Sequence, residues 1–101
     1  MHRYLLGLLL VGSLLSGCLG SRQNLAEGIQ SFQVQNYRLA FIRLLPEAEK
    51  GNPEAQYAIG YMYYYGQGVV EDRKRAWHWI QCAANAGQVD AMAAVKILVP
   101  A

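Results

Sequence analysis

Residues 55–87, AQYAIGYMYYYGQGVVEDRKRAWHWIQCAANAG, read as a helix, a glycine turn and a second helix. Small and apolar residues recur in register 36 positions earlier: Ala76, Ile80, Ala84 and Gly87 fall on Ala40, Leu44, Ala48 and Gly51. The same offset carries Ala91, Ala94, Val95 and Leu98 onto Ala55, Ala58, Ile59 and Met62. A fixed period of this length marks stacked helical hairpins, in which each unit buries its apolar face only against its neighbours. That pattern points to a binding scaffold before any chemistry is considered.

The boundaries follow from capping chemistry. Asn52-Pro53-Glu54 supplies a capping amide, a proline where no N–H is missed, and an acid near the positive end of the helix dipole. A helix is expected from Pro53 to about Tyr65, ended by Gly66-Gln67-Gly68. Asp72 caps the next one, whose buried stripe is Ala76, Trp77, Ile80, Ala83 and Ala84, and Asn85-Ala86-Gly87 closes it. The last helix is expected over about Gln88 to Val99, stopped by Pro100. Upstream, Leu25 to Gln33 presents Leu25, Ala26, Ile29 and Phe32 on one face, and Asn36 is placed to cap a helix through Tyr37, Ala40, Phe41, Leu44, Leu45 and Ala48 that ends at Gly51. Pro46 lies inside that helix and cannot donate to the carbonyl of Ile42, which predicts a kink or loosening there.

With the elements placed, the stretch resembles a Sel1-like repeat, a relative of the tetratricopeptide repeat. The residues carrying the resemblance are Ala55, Ile59-Gly60, Tyr63, Gly66-Gln67-Gly68-Val69, Asp72, Arg75-Ala76, Trp79-Ile80, Ala83-Ala84 and Gly87. The resemblance implies an all-α fold over residues 25–101, a short right-handed α-solenoid of stacked antiparallel helix hairpins with about two and a half repeats, the best full repeat being 53–88. Departures are Ile59 and Ile80, which core packing tolerates, and Cys82, at a position that is usually basic and solvent-facing. The turn Gln33-Val34-Gln35 lacks the glycine pair, so the first unit reads as degenerate.

The N-terminus carries a second signal. Met1-His2-Arg3-Tyr4 is short and positively charged, and Leu5 to Leu15 is an apolar run broken only by Gly7, Gly12 and Ser13. That run is shorter than the roughly 20 residues a membrane-spanning helix needs, and fits the core of a signal peptide. Leu15-Ser16-Gly17-Cys18 resembles the bacterial lipobox, whose small residues admit extended backbone to the peptidase and whose thiol accepts the diacylglyceryl group. The resemblance implies a signal peptide over 1–17, cleavage before Cys18, lipidation of Cys18, and a linker over 18–24. Two or more acyl chains anchor stably where one is marginal. Leu19 follows the cysteine without an aspartate retention signal, which implies the outer membrane facing the periplasm.

Composition excludes little but helps. A chain of 101 residues holds one small domain, and 9 basic against 7 acidic residues give no bulk field for nucleic acid. Cys18 and Cys82 do not make a disulfide framework. No Ser-His-Asp set, phosphate loop or metal cluster is legible, so no cofactor is expected.

The partner-binding candidates are three. Tyr57, Tyr61 and Tyr64 form a stripe distinct from Ala55, Ile59 and Tyr63, open to a reading as contact surface or as packing; by the resemblance, the helix that carries them lines the concave face. Arg73, Lys74 and Arg75 put three cations in a helix's first turn against its dipole, which suits an acidic partner, an anionic headgroup, or a solvated turn neutralised by Glu71 and Asp72. The last helix has apolar residues around its whole circumference, Val95 and Leu98 among them. Repeat arrays need a polar terminal face, so this helix is expected to cover itself against a second copy or a partner. Cys82 reads as a buried thiol or one available for an intermolecular bridge, and His78 as a surface residue.

The leading expectation is a non-enzymatic, lipid-anchored adaptor that holds an envelope protein. The alternative is a cell-wall-related enzyme that binds or hydrolyses β-lactams, after cysteine-rich relatives whose paired cysteines this chain lacks. A third is an immunity or inhibitor module.

Overall fold

The computed structural model describes residues 22–98, which are helical with no strand among them. The expected signal segment, the expected lipidation site at Cys18 and the expected stop at Pro100 lie outside the described residues. Five helices follow in order: α1 is helical over residues 22–33, α2 spans Tyr37–Glu49, α3 Pro53–Tyr65, α4 Arg73–Asn85 and α5 Val89–Ile97. Each packs on the next in the chain, as a solenoid of stacked hairpins requires.

The caps explain the boundaries. Asn52 Oδ1 accepts from the Ala55 N–H at 3.1 Å and Asp72 Oδ1 from the Arg75 N–H at 3.0 Å. Gln88 does the same for α5 through Oε1 and the Ala91 N–H at 2.6 Å, so Gln88 is the cap and α5 begins one residue later than the sequence suggests. Asn36 differs. It occupies the cap position of α2 but its side chain makes no capping bond. Pro46 lies inside α2 as expected, and the helix continues through it to Glu49. Ile42, whose carbonyl loses its partner, is exposed, so water can satisfy that oxygen.

Three turns share one geometry. At the ends of α2 and α4 the N–H of Asn52 reaches the Glu47 carbonyl and that of Gln88 reaches Ala83, with Gly51 and Gly87 bonded to Ala48 and Ala84. This is the double bond of a Schellman ending, and both glycines have positive φ, +100° and +89°. The end of α1 repeats it: Asn36 N–H to Ser31, Gln35 N–H to Phe32, with Gln35 at φ 65° where the others have glycine. The first hairpin is therefore closed by the three-residue turn 34–36, like 50–52 and 86–88, whereas the second has the seven-residue turn 66–72.

The core lies where the 36-residue register places it. Ala40, Leu44, Ala48, Ala55, Ile59, Met62, Tyr63 and Ala76 form one buried cluster, and Ile80, Ala83 and Ala91 form a second beneath α5. Trp79 is partly buried against the first, and Ala84 against the second. Trp77, expected in the buried stripe, is only half-buried. Tyr63 fills the hairpin, its ring edge-on to Phe41 at 5.5 Å, and its hydroxyl accepts from Arg75 Nη1 at 3.4 Å. The buried acid Glu47 accepts from Asn24 Nδ2 at 3.2 Å and faces Lys50 Nζ at 3.4 Å, which ties α1 to the end of α2.

Candidate partner-binding surface

The surface is built on α3. Its buried side carries Ala55, Ile59, Met62 and Tyr63, and helical spacing turns Tyr57, Tyr61 and Tyr64 to another side, where all three are half-buried. Tyr61 is the hub. Its ring meets Phe32 of α1 edge-on at 5.7 Å, and lies tilted against Tyr57 at 6.3 Å and Tyr65 at 4.7 Å. Tyr64 packs edge-on against Tyr65 at 4.9 Å. Phe32 and Tyr65 thus join the three tyrosines in one aromatic patch; Tyr65, at 57% exposure, is its most open member.

Two grooves flank this patch, with Tyr57 and Tyr61 as the wall between them. One, a cavity of about 210 Å³, crosses α1, α3 and the start of α5, and is lined by Ile29, Phe32, Ala58, Glu54 and Asp90 together with the two tyrosines. The other, about 120 Å³, lies between α3 and α5, with Tyr64, Tyr65, Ala94, Ile97 and Leu98 on its walls. Tyr57 also packs on the cluster of Ile80, Ala83 and Ala91. Burial, and after it the nearby Asp90 carboxylate, raise the Tyr57 phenol above its ordinary range, so it remains a neutral hydrogen-bonding group at physiological pH.

The basic turn is largely answered from within. Arg73 Nε is 2.9 Å from Glu71 Oε1 and its guanidinium sits 3.7 Å above the Tyr64 ring. Arg75 Nε is 3.5 Å from Asp72 Oδ2. Lys74 is exposed. Arg73 is thereby brought to the edge of the aromatic patch, while Arg75 belongs to the Tyr63 side.

On α5 the sides differ from the sequence expectation. Val95 and Leu98 turn inward and pack on the second core cluster, while Val89, Met92 and Ile97 face outward at 76%, 45% and 80% exposure. The residues at 89, 92, 93, 96 and 97 are all exposed and follow one helical stripe, broken only by Lys96. Cys82 is half-buried, its Sγ 3.8 Å from His78 Nε2 one helical turn away. The spacing of four between His78 and Cys82 already allows this pair in the sequence.

Among the described residues no group of three or more His, Cys, Asp or Glu could hold a metal, and no helix is long and apolar enough to cross a membrane. What the geometry offers is contact area. Glu54, Asp90, Phe32 and Tyr65 were missed as site residues; the offset of 36 that relates Glu54 to Asp90 was the available signal.

The Sel1 repeat family model matches residues 53–88. The chain is 33% identical over 72 residues to the ERAD-associated E3 ubiquitin-protein ligase component HRD3A of Arabidopsis thaliana, covering 70% of this chain and 9% of that protein. It is 39% identical over 46 residues to the chitin synthase regulator SKT5 of Saccharomyces cerevisiae, covering 46% of this chain and 7% of that protein. The chain thus spans less than a tenth of the length of these relatives. No solved structure matches it significantly. Sel1 repeats typically serve protein–protein interaction. Residues 53–88 of this all-helical chain are a Sel1 repeat, the unit from which helical solenoids are built.

Proposed function

We propose that this chain is a lipid-anchored adaptor of a bacterial cell envelope that holds a partner protein on the face shared by α1, α3 and α5. The observation that carries the reading is the aromatic patch of Phe32, Tyr57, Tyr61, Tyr64 and Tyr65, with an apolar groove on either side. Tyrosine rings give large contact area with a polar tip at low entropic cost, the composition of binding surfaces rather than of catalytic ones. The anchor rests on the sequence: the charged start, the apolar run and Leu15-Ser16-Gly17-Cys18 support a lipidated Cys18 and an outer-membrane, periplasm-facing location. No enzymatic role follows from the groups present, and no observation favours the β-lactam alternative.

The test is a crosslinking pull-down from intact bacterial envelopes, with the lipidated chain as bait and Y57A/Y61A as the control. One envelope protein recovered with the wild-type bait and lost with the variant supports the reading. Equal recovery with both overturns it, because the reading puts the contact on this face.

A second contact is supported by α5. Its stripe of Val89, Met92, Ala93 and Ile97 is apolar and exposed, whereas the exposed residues of α1 include Gln23, Gln30 and Gln33. The unequal ends favour tail-to-tail pairing of two copies through α5 over head-to-tail stacking. Sedimentation of the wild type against V89D/I97D checks this, a dimer lost in the variant being the supporting result.

A further inference from the structure

The 210 Å³ groove that crosses α1, α3 and the start of α5 is small. Small-molecule clefts usually run from about 300 to 1,000 Å³, so its size suits one large side chain from a protein partner. Its walls are aromatic and aliphatic, with two ionisable residues besides tyrosine: Glu54 and Asp90, both acids. They stand at the second position of α3 and of α5, 36 residues apart, so the repeat itself puts one carboxylate on each side of the groove.

Four of the seven acids, Glu27, Glu47, Glu71 and Asp72, each face a basic partner within 4 Å, and Glu49, exposed at the end of α2, has no ion pair among the described residues and does not line the groove. Glu54 and Asp90 face no basic partner among the described residues; Asp90 has only the Gln88 amide at 3.4 Å. The formal charge of the chain is +2, so a groove with two uncompensated acids runs against the molecule's overall sign. The helix dipole accounts for an acid at each helix start. It does not account for Tyr57 and Tyr61 lining the same groove as the two acids, and aromatic rings attract cations. The Asp90 carboxylate is close enough to the Tyr57 phenol to contribute to its raised pKa, which fits a negative potential inside the groove.

We propose that this groove takes a lysine or arginine side chain of the partner, seated against the rings of Tyr57 and Tyr61 between the carboxylates of Glu54 and Asp90. The inference rests on the adaptor reading and gives the partner a chemistry: a cationic residue flanked by apolar ones. Arginine is favoured over lysine because its planar guanidinium stacks on aromatic faces while its N–H groups remain free for the carboxylates.

The test titrates the isotope-labelled full chain, by NMR, with the blocked pentapeptide acetyl-Ala-Leu-Arg-Leu-Ala-amide. The same pentapeptide with glutamine or glutamate at its centre serves for comparison. The expected result is saturable millimolar binding of the arginine peptide, with shifts centred on Glu54, Tyr57, Tyr61 and Asp90. The glutamine peptide is expected to bind about fivefold more weakly, and the glutamate peptide more weakly still. The variant E54Q/D90N, its fold checked by helical circular dichroism, should lower affinity for the arginine peptide to the glutamine level, the loss expected for two exposed charge contacts. Equal binding of the arginine and glutamine peptides overturns the cation site while leaving the adaptor reading intact. Shifts that map outside the groove, or no saturable shift with any of the three peptides, overturn it as well. Failure of the adaptor reading is read separately, as equal recovery of wild type and Y57A/Y61A in the envelope pull-down.

Discussion

Gly60 lies directly against Ile80 where α3 crosses α4: a Cβ on Gly60 would stand 2.6 Å from Ile80 Cγ1, 3.0 Å from the Ile80 nitrogen and 3.1 Å from the Ala76 carbonyl oxygen. Gly28 repeats the relationship one hairpin earlier, its Cβ falling 2.7 Å from Leu44 Cδ2. Leu44 and Ile80 are 36 residues apart, but Gly28 and Gly60 are 32 apart. The difference of four is the difference between the turn 34–36 and the turn 66–72. The first unit is therefore the same helix crossing closed by a shorter turn.

Replacing Gly60 by alanine forces the two helices apart, because two of the three near atoms are backbone and cannot rotate away. G60A should destabilise the fold by about 1–3 kcal/mol, as overpacking does, read from the urea midpoint. G87A, where the added Cβ meets nothing within 4 Å, isolates the other cost of losing a glycine, that of a positive φ of 89°.

Gln35 holds a left-handed conformation that glycine adopts without strain. Q35G should stabilise the protein by about 0.5–1 kcal/mol. For a domain of this size that is a rise of roughly 2–8 °C in melting temperature, measured by circular dichroism.

Much of the fold was legible because the signal was small residues in register. Ala40, Leu44, Ala76 and Ile80, read from the 36-residue offset, are all essentially inaccessible to solvent. The closing turn of the first hairpin was not legible, since Gln35 in a left-handed conformation has no sequence signature and the missing glycine pair looked like decay. The orientation of α5 was not legible either. A helix apolar on every side has no face to read, and only the packing on α4 decides that Val95 turns in while Val89 and Ile97 turn out. Within the site, the tyrosine stripe could be read from spacing. Glu54 reads in the sequence as an ordinary dipole partner and Asp90 carries no reading there; only the fold joins them in one groove.

Tyr57 gives a pH signature. Its folded-state pKa is raised, first by burial and then by Asp90, so the folded state holds the phenol proton more tightly than the unfolded chain does. The stabilising contribution is fully present below the ordinary tyrosine pKa of about 10 and is lost as pH rises through the higher folded value. Absorbance titration should show a phenol that ionises above the ordinary tyrosine range, and Y57F should remove that component.

Arg73 links the basic turn to the aromatic patch through Glu71 at 2.9 Å and the Tyr64 ring at 3.7 Å. Both contacts are about half exposed, so R73A should cost only about 0.5 kcal/mol, shrinking in high salt. K74A should cost nothing measurable. Urea midpoints at low and high salt check both.

The adaptor reading stands or falls on which face meets a partner. A photo-crosslinking amino acid placed at Tyr61, and in a second variant at Gln81 on the exposed side of α4, tests this in intact bacterial envelopes. The account predicts a discrete protein adduct from position 61 and none from position 81. Adducts from position 81 alone, or the same adducts from both, would contradict it.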